Sequence, residues 1–188
     1  MGSAIVVPSG FETVDDDGYS GIIWGAVREQ TVYSSTHFKD GAVTITGMAY
    51  RLDNISTATA GTIKIRVRLS TTSAQPDNLS PTFSGNIGAN ETEVFPQADV
   101  IVNATTGKWP NEFGINIPFS KTFMYDPGAG NLLVDIITYN GVSGLTVDAS
   151  NETNDGASRA ISSDINAKRA SGRDSGAEVI RFKLAVNP

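Results

Sequence analysis

The stretch TIKIRVRLS, residues 62–70, alternates strictly between polar and apolar side chains. Successive side chains of an extended strand point to opposite faces, so the Ile, Val and Leu side chains would cover one face. Lys64, Arg66 and Arg68 would cover the other face. This pattern predicts a β-strand that lies on a hydrophobic core with its basic face in water.

Two further segments show the same period of two. Residues 180–186 would place Ile180, Phe182, Leu184 and Val186 on one face, and residues 111–119 would place Phe113, Ile115 and Ile117 there. Both segments are predicted to be strands with one buried face.

Two other segments depart from simple alternation of polar and apolar residues, and each departure predicts a feature of a strand. Across residues 43–52 the apolar positions change parity at Gly47, which predicts a β-bulge at that glycine. Residues 131–139 are apolar on both parities, which is typical of a strand at the centre of a sheet. Weaker patterns predict further strands at residues 4–7, 30–34, 92–95, 99–103, 145–149 and 157–162.

The number of predicted strands and the residues between them predict an all-β fold. No segment has a convincing helical period, and Gly, Pro, Asn and Asp separate the short strands. We therefore expect an antiparallel β-sandwich, jelly-roll-like in form, built as one domain from residues 4–188. The first three residues, 1–3, are interpreted as a cloning remnant. The polar stretches 71–90 and 150–176 are predicted to be surface loops.

Composition excludes several kinds of chemistry. The 188 residues include no Cys and one His, so disulfides, thiolate metal sites and cysteine nucleophiles are excluded. The net charge of −6 argues against a nucleic acid partner, and no apolar stretch is long enough for a transmembrane helix. Charged residues make up only 18% of the chain, so Ser, Thr, Asn and Gly supply much of the polar surface.

Catalytic motifs are scarce in the sequence. His37 is the single imidazole, and no Gly-x-Ser-x-Gly motif surrounds a serine. Asp135 is the best single candidate for a catalytic carboxylate because it lies within the most apolar strand. Its structural alternative is a buried carboxylate paired with an Arg or with backbone amides. We expect a protein without enzymatic activity.

Calcium is the inorganic ligand that the sequence favours. Asp15, Asp16 and Asp17 precede Gly18, and a second group of oxygen donors comprises Asp148, Asn151 and Asp155. Calcium binds six to eight such oxygens, often from separate segments. Each run is therefore a candidate calcium site, and a solvated polar loop is the alternative for each.

Aromatic residues near loops are candidate platforms for the apolar faces of sugar rings. These residues are Tyr19, Trp24 and Trp109, of which Trp109 is the best candidate because Lys108, Pro110 and Asn111 surround it. Packing in the core or anchoring of a loop is the alternative role for each of them.

The basic face of residues 62–70 is a second candidate binding surface. Arg181 and Lys183 would extend the row of Lys64, Arg66 and Arg68 if the two strands were neighbours. Such a face could bind an anionic polysaccharide. The alternative is a solvated face whose charges prevent aggregation.

Several segments of the chain carry strand-forming and turn-forming motifs: residues 30–38, 45–53, 65–72, 77–84 with 86–88, and 123–135. Together they resemble a family of exported bacterial proteins, many of which carry a C-terminal PEP-CTERM sorting signal. The resemblance implies a secreted or cell-surface bacterial β domain of uncharacterised activity. The chain departs from the family pattern by ending at Pro188 without the sorting helix and basic tail, so the resemblance does not extend to surface anchoring.

These observations lead to a function expected from the sequence. We expect a non-catalytic extracellular module that binds polysaccharide through loop aromatics, assisted by bound calcium. One alternative is a self-assembling subunit of an extracellular matrix or filament, in which residues 4–7 pair with an exposed sheet edge of another copy. The other alternative is a polysaccharide-active hydrolase that uses Asp135 or a loop carboxylate.

Overall fold

The structure is a computed structural model that describes residues 3–15, 18–39 and 41–185. In these residues the chain forms thirteen strands. They are β1 (Ala4–Val7), β2 (Gly18–Ser20), β3 (Val27–Tyr33), β4 (Val43–Tyr50), β5 (Ala60–Thr72), β6 (Thr92–Asn103), β7 (Ile115–Tyr125), β8 (Asn131–Asn140), β9 (Val147–Ser150), β10 (Ala157–Ser162), β11 (Gly172–Asp174), β12 (Ala177–Glu178) and β13 (Ile180–Leu184). Three short 3₁₀ turns lie at Ser35–His37, Phe83–Gly85 and Pro127–Ala129.

The strands form two main sheets and one small sheet, with antiparallel pairing throughout the named strands. One main sheet has the order β1-β13-β4-β7, the other has the order β11-β10-β3-β8-β5-β6, and the small sheet has the order β12-β9-β2. Eight strands form the sandwich: β1, β3 to β8 and β13. Numbered one to eight in chain order, the strands of the first main sheet are the first, eighth, third and sixth. The second takes the second, seventh, fourth and fifth. This is the strand order of a jelly roll, and it confirms the predicted antiparallel β-sandwich.

The main core lies between the inner faces of the two large sheets. On β5 the side chains of Ile63, Ile65, Val67 and Leu69 are fully buried, as their alternation predicts. Strand β8 is central to the six-stranded sheet and is buried on both faces, which confirms its prediction as a central strand. The period of two therefore identifies the strand face that the core covers.

The bulge predicted at Gly47 is present in β4. The pairing of β4 with β7 shifts register between Ile45 and Gly47, and the pairing with β13 shifts at the same place. Ile45 and Met48 are consequently both fully buried although they lie three positions apart. A Cβ atom on Gly47 would lie 3.1 Å from the carbonyl oxygen of Ile117, so the neighbouring strand passes close to this glycine.

The segment between β5 and β6, residues 73–91, does more than connect two strands. It lies on the outer face of the six-stranded sheet, where Leu79 and Phe83 are buried. They form a second, smaller hydrophobic core with Val32, Leu133 and Ala160. The sequence identified this segment as a surface loop, and the structure shows that it also covers the outer face of the sheet.

Some predicted strands have different boundaries in the structure. Residues 92–95 and 99–103 belong to the single strand β6, and the strand predicted over 111–119 begins only at Ile115. Phe113 was predicted to face the core, but its ring is partly exposed. The guanidinium carbons of Arg51 and Arg181 lie 5.1 and 4.9 Å from the centre of the ring. Val186 lies outside the described residues.

The N-terminal segment is part of the fold. β1 pairs with β13 of the same chain, and the carbonyl of Ser3 accepts a hydrogen bond of 2.9 Å from the amide of Leu184. Ser3, interpreted from the sequence as part of a cloning remnant, thus extends the sheet contact. Met1 and Gly2 lie outside the described residues. Within the residues that the structure describes, no helix has the length and apolarity needed to cross a membrane.

Candidate functional site

Three aspartates from separate segments meet at one place. Asp15 precedes β2, Asp53 follows β4, and Asp148 lies on β9. One carboxylate oxygen from each lies within 4.8 Å of those of the other two, and we call this group the acidic cluster. The loop after β4 is held against β9 by the amide of Asp53, which donates to the carbonyl of Thr146 at 3.0 Å.

Arg51 lies beside the acidic cluster and is completely buried. Its Nε donates to Oδ2 of Asp148 at 2.5 Å, and its Nη2 donates to the carbonyl of Val14. The guanidinium therefore joins the segment before β2 to β9 and supplies one positive charge to the cluster.

The acidic cluster contains three carboxylates and, among the described residues, one neighbouring arginine in an ion pair with it. Burial raises the pKa of Asp148 to about 6 even though Arg51 lowers it, and the charges of Asp15 and Asp53 raise it further. Burial also raises the pKa of Asp53. Oδ1 of Asp148 is buried and has no hydrogen-bond partner among the described residues. A buried carboxylate oxygen without a partner is costly and is well placed for a proton or a cation.

The structure brings together one residue from each acidic run that the sequence identified. Asp15 and Asp148 join the cluster, whereas Asp16 and Asp17 lie outside the described residues. Asp53 was missed, because a single acidic residue after a strand gives no signal of its own.

Two other predicted ligands lie elsewhere in the loop after β9. Asp155 accepts a hydrogen bond of 2.9 Å from the amide of Ala157, and the carbonyl of Asn151 accepts one of 2.9 Å from Ser175. Asp155 does not belong to the acidic cluster. Of the two predicted aspartate ligands Asp148 and Asp155, the cluster therefore contains only Asp148.

The three candidate aromatic residues are substantially exposed. Tyr19 is 49% exposed, Trp24 is 47% exposed and Trp109 is 60% exposed. None of them belongs to the described core clusters, which disfavours the alternative role of core packing. Their exposed rings remain accessible to a ligand.

Each aromatic residue is connected, by strand pairing or by a hydrogen bond, to a segment that contains or adjoins a residue of the acidic cluster. Tyr19 on β2 is the pairing partner of Asp148 on β9. Trp24 donates its indole N–H to Ser143, in the loop before β9, at 2.7 Å. Trp109 lies two residues before Asn111, whose side-chain amide donates to the carbonyl of Leu52, next to Asp53, at 2.9 Å.

The basic row on β5 is matched by acidic residues on β6. Lys64 lies 3.5 Å from Asp99, and Arg66 and Arg68 lie 3.9 and 3.2 Å from Glu93. Such exposed pairs contribute little to stability, but they neutralise the row. Arg181 and Lys183 lie on β13 in the other main sheet, so the two rows do not form one cationic face.

Asp135 is held in an ion pair and not in an open site. Arg28 donates to its Oδ2 at 2.8 Å and Gln30 donates to the same oxygen at 2.7 Å. Asp135 is 3% exposed and lies beneath the segment 73–91, whose Asn86 donates to Gln30 at 3.0 Å. This is the paired arrangement expected of a buried carboxylate.

His37 also has a structural environment. Its Nδ1 accepts a hydrogen bond from the amide of Ser9 at 3.1 Å, and its Nε2 lies 3.2 Å from the carbonyl of Gly156. These contacts fix the neutral tautomer that carries its proton on Nε2. Burial lowers the pKa of His37, in keeping with a neutral imidazole.

A polar cleft that the sequence did not indicate lies at the edge of the six-stranded sheet formed by β10 and β11. It has a volume of about 420 Å³, and its walls come from residues 77–79 and from the long segment after β9. Arg159, Arg173 and Asp174 are among its lining residues. We call this feature the polar cleft.

Two glutamates are buried behind Arg159. Glu29 and Glu178 are fully buried, and the hydroxyl of Thr31 lies 3.2 and 3.0 Å from one oxygen of each. Nη1 of Arg159 lies 3.9 Å from Glu29 and 3.7 Å from Glu178. Burial and the charge of Glu178 raise the pKa of Glu29 well above its usual range.

Comparison of the chain with protein-family models, curated proteins and solved structures gave no match. The resemblance to the exported bacterial family therefore stays a prediction, and the functional argument rests on the sites described above.

Proposed function

We propose that this protein is a non-catalytic carbohydrate-binding module that acts outside the bacterial cell and binds its glycan at exposed aromatic residues on segments connected to the acidic cluster. The observation that carries the proposal is the exposure of Tyr19, Trp24 and Trp109 on segments tied to that cluster. Calcium is the proposed cofactor.

The aromatic residues have the properties of a sugar platform. An indole or phenol ring offers a flat apolar face together with a polar edge, and it loses little conformational entropy on binding. Trp24 is held by its hydrogen bond to Ser143, so its ring is positioned before a ligand arrives. A fixed ring supports binding because less freedom is lost when the complex forms.

The acidic cluster supports the calcium part of the proposal. Three ionised carboxylates carry three negative charges, and Arg51 supplies one positive charge. A divalent cation would supply the remaining two. Carboxylate oxygens are the ligands that calcium prefers, and the unpartnered Oδ1 of Asp148 is such an oxygen. The ion would hold together the segment before β2, the loop after β4 and β9.

Calcium is expected to raise the melting temperature of the protein by about 5–10 °C over that in EDTA, once its concentration is about a hundred times its Kd. The reason is that the folded chain gathers the three carboxylates and the unfolded chain does not. Asp53→Asn should abolish most of the increase. Differential scanning calorimetry in EDTA and over a calcium titration up to about 10 mM would measure it, since about 10 mM is a hundred times a Kd of about 10⁻⁴ M, the tight end for extracellular sites.

Asp99→Asn is the matched control for this experiment, because Asp99 makes an exposed pair with Lys64 on the sheet. It should keep the full calcium response. A melting temperature of the unsubstituted protein that does not change between calcium and EDTA would contradict the calcium proposal. Carbohydrate binding by the aromatic residues would then have to be calcium-independent.

Trp109→Ala and Trp24→Ala are each expected to weaken glycan binding about tenfold, which corresponds to the loss of about 1.4 kcal/mol of ring stacking. A glycan array would identify the ligand, and isothermal titration calorimetry would compare the variants. Neither ring lies in a core cluster, so both variants should fold.

Met124→Ala provides the control, because Met124 is 78% exposed on β7 and belongs to no candidate site. Its glycan affinity should equal that of the unsubstituted protein. If no polysaccharide or oligosaccharide binds in calcium or in EDTA, the proposed function is wrong.

A further inference from the structure

The polar cleft is built by two segments that are distant in sequence. Asp77 and Leu79 come from the segment between β5 and β6, whereas Asn154, Arg159 and Arg173 come from the segment that follows β9. The volume of about 420 Å³ lies within the usual range of small-ligand sites. Both segments are anchored, since Leu79 lies in the second hydrophobic core and its carbonyl accepts a hydrogen bond of 2.6 Å from Nη1 of Arg173.

The backbone of the cleft adopts an unusual conformation at two facing residues. Asp77 has a φ of 59° and Asn154 a φ of 65°, and they are the non-glycine residues with positive φ in the described parts of the chain. The amide of Asn154 donates to Oδ2 of Asp77 at 3.3 Å, and the amide of Asp77 donates to Oγ of Ser158 at 2.8 Å. Asp and Asn adopt left-handed backbone more readily than other non-glycine residues, and here the two residues join the two segments of the cleft by a hydrogen bond.

Arg159 is held rigidly at the floor of the cleft. Its Nε donates to Oδ1 of Asp174 at 2.8 Å, and the buried pair of Glu29 and Glu178 lies behind its Nη1. Four groups thus restrict a side chain that would otherwise be flexible, counting the hydroxyl of Ser20 at 3.4 Å. These contacts engage all three guanidinium nitrogens of Arg159, so it is a fixed part of the cleft wall.

The charges around the cleft argue against an anionic ligand. Arg159 and Arg173 are opposed by Asp77 and Asp174, and Glu29 and Glu178 are buried behind Arg159. The site therefore has no excess of positive charge for a phosphate, sulfate or uronate. Its groups do provide both hydrogen-bond donors and acceptors. A ligand with several uncharged hydroxyl groups satisfies both kinds, because each hydroxyl donates and accepts.

We propose that the polar cleft is a second carbohydrate subsite that binds an uncharged sugar unit, with Arg173 and Asp77 as its principal ligand contacts. This inference rests on the proposed function, because it assigns a class of sugar and a second place of contact to the same binding activity. The cleft holds hydroxyl groups by hydrogen bonds, whereas the aromatic residues hold the apolar faces of sugar rings.

The test measures binding of defined oligosaccharides by isothermal titration calorimetry. The probes are neutral cello-, xylo-, manno- and malto-oligosaccharides, together with oligogalacturonate and a sulfated oligosaccharide. A neutral oligosaccharide should bind, and Arg173→Ala and Asp77→Asn should each weaken its affinity at least about tenfold, because each variant loses a charged hydrogen bond to the ligand. Asparagine tolerates the left-handed backbone of position 77, so the second variant should keep the local structure.

Arg169→Ala is the matched control, because Arg169 is exposed on the same long segment, contacts Thr82 and does not line the cleft. The Arg169→Ala variant should bind the neutral oligosaccharide with the affinity of the unsubstituted protein. Stronger Arg173-dependent binding of the uronate or the sulfated probe would overturn the inference, as would neutral binding that survives both cleft variants. Loss with Trp109→Ala but not with the cleft variants would leave the proposed function intact and refute only the second subsite. Absence of any saccharide binding would refute both.

Discussion

Replacing Arg51 with alanine is expected to lower the free energy of unfolding by about 3–5 kcal/mol. Arg51 is fully buried and pairs with Asp148, which is also fully buried. Without the guanidinium, Asp148 must either carry an uncompensated charge or bind a proton. The variant also loses the stacking of Arg51 on Phe113 and its hydrogen bond to Val14. Urea unfolding followed by circular dichroism measures the change.

A double-mutant cycle separates the ion pair from the loss of packing. Asp148→Ala alone leaves Arg51 buried without its carboxylate, so it should also be strongly destabilising. The double variant should cost less than the sum of the two single variants by about 1–3 kcal/mol, because neither charge is then left alone. Additive single effects would show that Arg51 acts through packing and not through its charge.

Phe83→Ala is expected to lower the free energy of unfolding by about 3–5 kcal/mol. Phe83 is 1% exposed, and the guanidinium of Arg28 lies 4.4 Å from its ring centre. Removing the ring would leave a cavity between residues 73–91 and the sheet. Asp77 lies on that segment, so the variant should also weaken binding in the polar cleft. Urea unfolding and calorimetric titration with a neutral oligosaccharide would measure the two effects.

Phe95→Ala is the matched control for Phe83, because Phe95 is only partly buried at the edge of the main core on β6. It should be clearly less destabilising and should leave saccharide binding in the cleft unchanged. If Phe83→Ala unfolds at the same urea concentration as the unsubstituted protein, then residues 73–91 do not derive their order from the second core.

The local pattern of the chain was sufficient to identify most strands of the jelly roll. β5, β8 and β13 follow their predicted faces, and the bulge at Gly47 is where the parity change indicates. These features depend on whether successive side chains face a core or water, which is a property of adjacent residues. The short strands β2, β11 and β12 have too few residues to show a pattern, so they could not be predicted.

The candidate sites were only partly predictable. Asp15 and Asp148 were identified as oxygen donors, and Tyr19, Trp24 and Trp109 were identified as aromatic residues near loops. Their exposure and their connections to one another are results of the fold. The polar cleft was not predicted, since its walls come from segments separated by more than seventy residues.

The sequence alone determined the class of fold and the chemical types of the candidate ligands, because alternation, turn residues and composition are local properties. The tertiary structure alone decided which charges meet. It placed Asp53 beside Asp148, matched the basic row of β5 with acidic residues of β6, and buried Glu29 against Glu178. These contacts depend on long-range strand pairing, and the strength of each charge interaction depends on how completely the surrounding chain removes water from it.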